Sequence, residues 1–508
     1  MLWIFLAYLG ILLALGFMAE RYTKSLESFL LGDRKMGPWL TALSYEATAY
    51  SGWLMLGFPG RAFSRGLAAI WAGVACVIGD SLNWILVSKR LRDETGRLRA
   101  LTVPEYLERR FPKEDGHAVQ LVASAALGFF MLIYLWAQFV AAGKAMMTML
   151  DWSYLPAVAL SAIVIIIYTF QGGYRAVVWT DAFQAVMMLV ALVILPLACI
   201  SELGGLSGLR AALARASSEA ASSASLASTS SHLESWFAGL VGLSLFTFLF
   251  EDAGLGAGYL GQPHISVRFM AVRDSRALRP AFVLSIFFAI LVCAGAVAAG
   301  LSGHGTFQFA DTASGPSVPS IPSIEDARQP LHDPESILPR LAMAVLPPWL
   351  AGLVTSAIMA AIMSTASGFL LSVTSSMTED VYHRLLRPAA AQKELVLVSR
   401  AVTIALGAGA LILALSTNPL DPESTVYKLV LYGWGGLAGC FSAPVTLALF
   451  YRGMTRAGCL AGMISGALTV LVWRNIPALS GIYEVIPAMA VSALSILLVS
   501  RLTFRRAV

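Results

Sequence analysis

The chain of 508 residues carries too little charge for a protein surrounded by water. It is 57% hydrophobic and only 13% charged, and its mean hydropathy is +0.73, whereas a soluble domain has about 25% charged residues. Apolar segments long enough to cross a bilayer, about 20 residues each, recur from one end to the other. The composition therefore predicts an all-α polytopic membrane protein and argues against a soluble enzyme.

Taken in chain order, the apolar segments predict about 13 transmembrane helices. They cover residues 2–19, 38–61, 67–88, 119–147, 153–170, 182–202, 236–260, 280–301, 348–377, 397–416, 425–450, 456–474 and 482–503. The first segment lacks a basic leader and a cleavage motif, so it is predicted to be a retained helix. The chain is expected to form a single transmembrane domain (1–508), with core repeats at 38–202 and 236–450 and peripheral helices at 2–19, 456–474 and 482–503.

The basic residues predict how the chain is oriented in the membrane. When the N-terminus is placed outside, most of the 35 Lys and Arg residues fall in the inner loops, the richest of which is residues 89–113. The expected topology is therefore an outer N-terminus and an inner C-terminus. The basic clusters are interpreted as topology signals, so no nucleic-acid partner is expected.

Two of the predicted crossings have the composition of broken helices. A helix can be interrupted inside the bilayer only where its freed backbone groups line a cavity or bind a ligand. The second crossing reads SYEATAYSGWLMLGFPG from Ser44, and the seventh reads FEDAGLGAGYLGQPH from Phe250, with closely spaced glycines. Glycines also serve close helix packing, but the two segments are five crossings apart. That spacing is expected for the first helices of two inverted five-helix repeats.

Adjacent hydroxyls mark the ninth crossing, where Ser364 and Thr365 stand in an otherwise apolar helix. Such hydroxyls often bond to the preceding helical turn. Hydroxyl and carbonyl oxygens are also the ligands that a hard cation such as sodium prefers. The residues alone leave both interpretations open.

Acidic residues also occur inside the apolar segments. Glu46, Asp80, Glu251 and Asp252 lie within crossings, and Asp181 stands at the end of the sixth. A carboxylate in the membrane costs at least about 2.5–3.5 kcal/mol, so it is usually paired or functional. Few basic residues lie within the crossings, and we therefore expect some of these acids to be protonated, hydrated or bound to a cation.

Long phrases of the sequence resemble the sodium/solute symporter family and span nearly the whole chain in the same order. They are LLGDRKMGPWLTALS, SGWLMLGFPG, LTVPEYLERRF, AVVWTDAFQA, GYLGQPHISVRFMA, AAIMSTASGFLLSVTSSMTEDVY and MTRAGCLAGMISGALTVLVW. The resemblance implies an inverted five-plus-five helix core and location in the bacterial cytoplasmic (inner) membrane. It also implies inward sodium flow driving the uptake of a small organic solute, with L-proline as the expected solute, membrane lipid as surroundings and no need for an oligomer.

The resemblance further implies an ion site. The carbonyls of Ala47, Tyr50 and Ala361 and the hydroxyls of Ser364 and Thr365 are expected to bind the co-transported sodium ion. A second cation locus, or a route of release, is expected at Asp181 with Ser364 and Ser367.

Substrate and gating residues follow from the same resemblance. Those expected to line the substrate pocket are Trp53, Tyr134, Tyr259, Gln262, Pro263 and Leu255. Arg34 matches an arginine of the inner gate. Proline-transporting members have an aspartate where this chain has Ala49 and a tryptophan where it has Leu255, and Glu46 and Glu251 are expected to compensate as coupling acids, through sodium or a proton.

Alternative functions remain open from the sequence. The same fold could carry another amino acid, a small carboxylate or a cation, with proton coupling in place of sodium coupling. The chain could also be a transporter-like sensor. The sequence contains no GxSxG, Walker A or HExxH motif at a plausible depth, so enzymatic activity is not expected.

Overall fold

The computed structural model is helical throughout the residues that it describes, which are 1–22, 25–111, 116–222, 232–237, 239–312, 333–418, 426–473, 475–476, 479 and 482–504. Within them, the only β-type pairing is an isolated bridge between Met36 and Val272. This confirms the predicted all-α class.

The helices of the first half of the chain are α1 (Leu2–Glu20), α2 (Leu26–Leu31), α3 (Pro38–Ala49), α4 (Phe58–Arg65), α5 (Ile70–Leu82), α6 (Lys89–Arg97), α7 (Val103–Arg109), α8 (Ala118–Leu150), α9 (Tyr154–Glu202) and α10 (Leu206–Ser222). Those of the second half are α11 (Gly242–Ala257), α12 (Pro263–Met270), α13 (Leu278–Thr312), α14 (Ile337–Val345), α15 (Pro348–Ser375), α16 (Gln392–Leu415), α17 (Val426–Phe450), α18 (Arg456–Trp473) and α19 (Val485–Thr503). Wider π-helical turns occupy Trp53–Gly57, Asn83–Ser88 and Ser376–Leu386.

Every predicted crossing lies on a helix or on a helix that is interrupted. Ten helical stretches among the described residues are long and apolar enough to cross a membrane, and Tyr154–Phe170 is a shorter apolar helix. Large apolar side chains such as Trp3 (83% exposed) and Leu502 (86% exposed) point outward, as expected for a surface that faces lipid. The polytopic architecture is thus confirmed, while the count of 13 stays a prediction.

Helix α9 contains two of the predicted crossings, separated at Gly173. This residue has φ +54°, a backbone conformation that favours glycine. A Cβ atom added there would lie 2.8 Å from Phe29. The chain can therefore change direction between the fifth and sixth crossings while α2 packs closely against the bend.

Two groups of helices surround the middle of the molecule. In the first, α13 packs against α3, α4 and α5, α11 packs against α5, and α12 packs against α3. We call α3, α4, α5, α11, α12 and α13 the bundle. In the second, α8, α9, α15 and α16 pack against one another, and we call them the scaffold. The candidate site lies where α3 and α12 of the bundle meet α15 and α9 of the scaffold.

Candidate ion and substrate site

The first break in a helix follows Ala49, the last residue of α3. Tyr50 has φ −100° and ψ 97°, an extended conformation, and helical structure resumes at Trp53. The Tyr50 N–H still donates to the Glu46 carbonyl at 2.9 Å. Carbonyls in the last turn of a helix have no N–H group of the same helix from which they could accept a hydrogen bond. The end of α3 therefore presents carbonyl oxygens without helical partners inside the protein.

These oxygens meet the two hydroxyls of α15. Ser364 Oγ donates to the Ala47 carbonyl at 2.6 Å and to the Ala361 carbonyl at 3.1 Å. Thr365 Oγ1 lies 3.4 Å from the Ala47 carbonyl and 3.2 Å from that of Thr48. Both hydroxyls are fully buried. The structure thus brings four of the five predicted sodium ligands into one cluster of neutral oxygens.

The fifth predicted ligand, Tyr50, forms the break itself. Among the described contacts, Thr365 reaches the carbonyl of Thr48 and not that of Tyr50. The Tyr50 ring faces Tyr259 with centroids 6.4 Å apart. Tyr50 therefore lies between this oxygen cluster and the second break, and its role as a ligand stays a prediction.

Asp181, the predicted centre of a second cation locus, forms an ion pair with Arg268 of α12. Arg268 Nη2 lies 3.0 Å from Asp181 Oδ2, and both side chains are fully buried. The same carboxylate oxygen accepts from Ser44 Oγ at 2.6 Å, while Arg268 also donates to Thr48 Oγ1 at 2.6 Å. Ser367 donates to the Ser364 carbonyl at 3.0 Å. A guanidinium group therefore pairs with one oxygen of Asp181, while Oδ1 has no hydrogen-bond partner within the described residues, and the second cation locus stays a prediction.

Three of the acids within the crossings have basic partners. Asp181 pairs with Arg268, and Arg61 of α4 forms ion pairs with both Glu251 and Asp252. Arg61 Nη1 lies 2.7 Å from Glu251 Oε1. Long-range partners of this kind are not visible in a sequence, because Arg61 and Glu251 are 190 residues apart.

The second break separates α11, which ends at Ala257, from α12, which begins at Pro263. Gly261 has φ +69°, and its N–H donates to Asn83 Oδ1 at 3.1 Å. A Cβ atom on Gly261 would lie 2.9 Å from the Val445 side chain. Glycine is therefore required here both by the backbone conformation and by the close approach of α17.

Aromatic rings form a continuous wall between the two breaks. Tyr134 contacts Phe369 with ring centroids 4.5 Å apart, and Phe369 contacts His264 at 4.7 Å. His264 faces Trp434 at 6.1 Å, and Trp434 contacts Tyr259 at 4.8 Å. All five side chains are at most 3% exposed. We call these five residues the aromatic wall; it joins α8, the second break, α12, α15 and α17.

Trp434 of α17 was not identified from the sequence. Its indole N–H donates to the Leu255 carbonyl at 3.2 Å, and its ring packs edge-on against Tyr259. Trp434 therefore places an indole ring beside Leu255, where the family resemblance implied an aromatic side chain. The signal in the sequence is the phrase YGWGGLAG, in which small residues flank a tryptophan in the middle of a predicted crossing.

Several buried polar atoms near the breaks have no hydrogen-bond partner within the described residues. They are Trp53 Nε1, Gln138 Nε2, Gln262 Oε1 and His264 Nδ1. The other amide atoms are used: Gln138 Oε1 accepts from the Gly52 N–H at 3.0 Å, and Gln262 Nε2 donates to the Trp434 carbonyl at 3.3 Å. An unpaired buried polar atom costs about 1–3 kcal/mol. A polar ligand held between the breaks would recover part of that cost.

Predicted substrate residues are thus divided between the two breaks and α8. Trp53 lies just after the first break and stacks on Phe58 with centroids 4.8 Å apart. Tyr134 of α8 bonds to Ser51 Oγ through its hydroxyl at 3.3 Å. Pro263 is the first residue of α12. The N–H groups of the first turn of a helix can donate hydrogen bonds to an anion.

Arg34 lies at one end of the site in an open cavity of about 950 Å³, lined also by Arg92, Glu379 and Arg384. Its guanidinium donates to the Ala100 carbonyl at 2.6 Å and to the Met270 carbonyl at 3.2 Å. Burial, with a contribution from the neighbouring Arg92, lowers the pKa of Arg34 from its usual value. Arg34 therefore tethers the segment that precedes α3 to Met270, the last residue of α12.

The opposite end of the site is closed by a network of charges. In addition to the ion pairs of Arg61 with Glu251 and Asp252, the Tyr427 hydroxyl donates to Glu251 Oε1 at 2.9 Å. The Tyr427 N–H donates to Glu335 at 2.8 Å, and Glu335 lies 2.8 Å from Lys144 Nζ. These contacts join α4 and α11 of the bundle to α17, to α8 and to the residues preceding α14.

Solved structures share this fold. A Na⁺-coupled sialic acid symporter in a substrate-bound outward-open state superimposes with a TM-score of 0.77 at 19% identity, covering 98% of this chain and 97% of that one. A nucleobase-cation-symport-1 family transporter in a closed conformation gives a TM-score of 0.51 at 13% identity, covering 94% of this chain and 95% of that one. At such identities the likeness concerns the fold alone.

Sequence relatives are much closer. The sodium/proline symporter of Escherichia coli (strain K12) is 36% identical over 503 residues, which is 99% of this chain and 93% of that protein. The high-affinity proline transporter PutP of Bacillus subtilis (strain 168) is 34% identical over 493 residues, 97% of this chain and 96% of that protein. The model of the sodium:solute symporter family matches residues 29–466. The chain therefore belongs to the sodium:solute symporter family.

Proposed function

We propose that this protein is a sodium-coupled symporter that takes up L-proline across the bacterial inner membrane. The observation that carries the proposal is the contact of the Ser364 and Thr365 hydroxyls with the free carbonyls at the end of α3. Relatives named as proline transporters match over nearly the whole chain. The proposed orientation has the N-terminus outside and the Arg34 end of the site facing the cytoplasm.

In this proposal sodium binds between Ala47, Ala361, Ser364 and Thr365, with Tyr50 completing the set. All of these donors are neutral oxygens in a fully buried position. The hydroxyl protons now point at the carbonyls. When a monovalent cation enters, each hydroxyl can rotate its proton away and offer a lone pair to the cation. Binding would draw α3 and α15 together, so sodium would stabilise the contact between bundle and scaffold.

We propose that one sodium ion accompanies each substrate molecule. Arg268 already neutralises Asp181 and bonds to Ser44 and Thr48. A second sodium ion at the other carboxylate oxygen would lie close to this positive charge, and the repulsion between the two cations disfavours its binding. Asp181 with Ser367 then serves as part of the release route and not as a second resident site.

Proline suits the space between the two breaks. Its ring and its secondary ammonium can pack on the faces of Tyr134, Tyr259 and Trp434, since aromatic faces attract cations. Its carboxylate can accept hydrogen bonds from the first N–H groups of α12, beyond Pro263. Gln262 and Trp53 supply further polar atoms without partners.

Transport requires that the two ends of the site open alternately. We propose that Arg34 belongs to the inner gate, because it joins the segment before α3 to Met270 at the end of α12. Glu251 belongs to the outer gate through Arg61 and Tyr427. Opening outward would break the Arg61 contacts and opening inward would break those of Arg34.

The test is uptake of labelled proline into proteoliposomes. Sodium and proton gradients are imposed separately, and unlabelled amino acids are added as competitors. The proposal predicts uptake that needs an inward sodium gradient, that proline suppresses best among the competitors, and that an imposed proton gradient alone does not drive. Uptake driven by protons without sodium, or stronger competition by an unrelated solute, would contradict it.

A further inference from the structure

Four arginine side chains line the open cavity at the Arg34 end of the site. The cavity has a volume of about 950 Å³, which is large enough for a small ligand. The arginines come from separate parts of the chain and are Arg34, Arg92, Arg99 and Arg384. Guanidinium groups bind phosphate and carboxylate groups through paired N–H donors. The cavity therefore has the donors that an anion site needs.

The acidic residues that line the same cavity already have partners. Their contacts are an ion pair of Glu27 with Arg34, ion pairs of Glu379 with Arg384 and with His383, and a hydrogen bond that Asp93 accepts from Ser275. Arg384 is paired a second time, with Glu105 at 2.6 Å. Within the described residues, no carboxylate forms an ion pair with Arg92 or Arg99. The charges of these two arginines are thus left without direct partners.

Arg92 of α6 uses only part of its guanidinium group to hold the structure together. Its Nε donates to the Val272 carbonyl at 2.6 Å, and its Nη2 donates to the Arg273 carbonyl at 3.0 Å. The remaining nitrogen, Nη1, lies beside Gly96, where an added Cβ atom would approach it to 2.7 Å. Gly96 also lines the cavity. Glycine therefore leaves room for the guanidinium group on this side of the helix, with one nitrogen free to bind a ligand.

Arg99 follows α6 in a backbone conformation that side chains rarely adopt. Its φ is +52°, as is that of Arg34, and non-glycine residues in this region occur often at functional sites. Its backbone N–H donates to the Gly96 carbonyl at 3.3 Å. Its side chain is exposed and has no ion pair or hydrogen bond within the described part of the chain. Arg99 can therefore direct all its donors to a ligand.

Two guanidinium groups without carboxylate partners match the charge of a phosphate better than that of a carboxylate. A phosphate monoester carries about −1.5 to −2 at neutral pH and offers three acceptor oxygens, whereas a carboxylate carries a single charge. We propose that this cavity binds a phosphate group through Arg92 and Arg99. Inorganic phosphate and soluble phosphate esters carry such a group, and so do the headgroups of anionic lipids. These two sources are separated by experiment.

A bound phosphate group has a consequence for transport, because the cavity lies between parts that separate when the inner gate opens. Arg92 and Arg99 form one side, which Arg92 ties to the residues after α12 of the bundle. The other side includes Arg384, in the π-helical turn after α15, and Gln392, which begins α16 of the scaffold. A phosphate group between the two sides would hold the inner gate closed. This effect rests on the proposed function, whereas the binding does not.

The first measurement concerns binding alone. Inorganic phosphate is titrated into the purified, delipidated protein in detergent, and the heat of binding is recorded. We expect one saturable site in the wild type and binding at least about tenfold weaker in R92Q and in R99Q. R99Q is the more decisive variant, because the Arg99 side chain has no described contact whose loss would disturb folding.

A matched control is available on the same helix. Arg97 of α6 pairs with Glu94 at 2.6 Å on the surface and does not line the cavity, so R97Q should bind phosphate as the wild type does. Three results overturn the proposal: no saturable binding in the wild type, full binding in R99Q, or equal weakening in R97Q. Acetate that binds as tightly as phosphate would also overturn it, because a carboxylate would then satisfy the site.

The source of the phosphate group follows from the same titration in lipid vesicles. If a lipid headgroup fills the cavity, vesicles of anionic phosphatidylglycerol should abolish the binding of inorganic phosphate, whereas vesicles of phosphatidylcholine, which has no net charge, should preserve it. Equal binding in both kinds of vesicle supports soluble phosphate as the ligand. Binding that appears in neither kind of vesicle overturns the proposal for the protein in a membrane.

The last measurement connects binding with transport and separates the two proposals. In proteoliposomes that hold the protein in its cellular orientation, phosphate sealed inside should lower the initial rate of sodium-dependent proline uptake severalfold relative to chloride, but not in R99Q. An unchanged rate in the wild type overturns the effect on the gate. A protein that binds phosphate but takes up no proline retains the site and loses the proposed function. A protein that takes up proline with sodium but binds no phosphate retains the function and loses the site.

Discussion

Substitution of Ser364 by alanine is the sharpest test of the ion site. The change removes one hydroxyl oxygen that lies 2.6 Å from the Ala47 carbonyl and leaves the methylene packed as before. Thr365 remains, but its hydroxyl lies 3.4 Å from the same carbonyl. The bound ion would therefore lose one neutral ligand from a fully buried site.

The expected magnitude follows from the cost of leaving a buried polar group without its partner, about 1–3 kcal/mol. Since 1.4 kcal/mol corresponds to a factor of ten, the sodium concentration for half-maximal uptake should rise by roughly 5- to 150-fold. The maximal rate at saturating sodium should fall much less, because the hydroxyl is not needed to hold proline. Uptake by proteoliposomes over a range of external sodium concentrations measures both quantities.

Ser356 supplies a matched control on the same helix. Its hydroxyl is as deeply buried as that of Ser364, but it donates only to the carbonyl of Gly352 in the preceding turn, at 2.9 Å. S356A should leave the sodium dependence unchanged. If S364A kept the wild-type sodium affinity, or if both variants shifted it equally, the assignment of the sodium site to Ser364 would be refuted.

Three further predictions concern the substrate site and its gate. W434F removes the bond to the Leu255 carbonyl but keeps a ring, so the KM for proline should rise about tenfold, with sodium affinity unchanged. G261A places a Cβ at φ +69° against Val445 and should lower the thermal midpoint of the purified protein by several degrees. R61Q breaks the ion pairs at the proposed outer gate. A cysteine introduced at a nearby position of the pocket should then react faster with an external thiol reagent than the same cysteine in the wild-type background. An unchanged reaction rate would argue against a gate there.

Local features of the sequence predicted the parts of the site that depend on neighbouring residues. The two breaks follow from polar and glycine residues near the middle of apolar segments, and both occur where they were expected. Ser364 and Thr365 are adjacent on one helix, so their joint approach to α3 needs only that two helices meet. Polar and glycine residues in an apolar segment are enough to predict the breaks and the adjacent hydroxyls, because unpaired backbone groups are unfavourable in hydrocarbon.

Partners far apart in the chain were missed, for a physical reason. Arg268 lies 87 residues from Asp181, and Trp434 lies 179 residues from Leu255. A count of loop charges groups Arg268 with Arg273, although the first is fully buried and only the second is at the surface. Composition and hydropathy report how many charges a segment has. The pairing of a charge depends on which helices pack together, and only the folded structure contains that information.

Buried polar contacts between the bundle and the scaffold respond to a movement of one against the other, whereas contacts within the bundle do not. The sodium cluster and the Arg268–Asp181 pair both cross the boundary, since they join α3 or α12 to α15 or α9. Any separation of the two bodies must weaken these contacts, so sodium bound at the proposed site would depend on the conformation.

Glu46, Asp80 and Ser285 belong to α3, α5 and α13, all of them within the bundle. Their contacts can survive the whole cycle, because the bundle can move as one body. These contacts therefore hold the bundle together throughout turnover, and they do not report which end of the site is open.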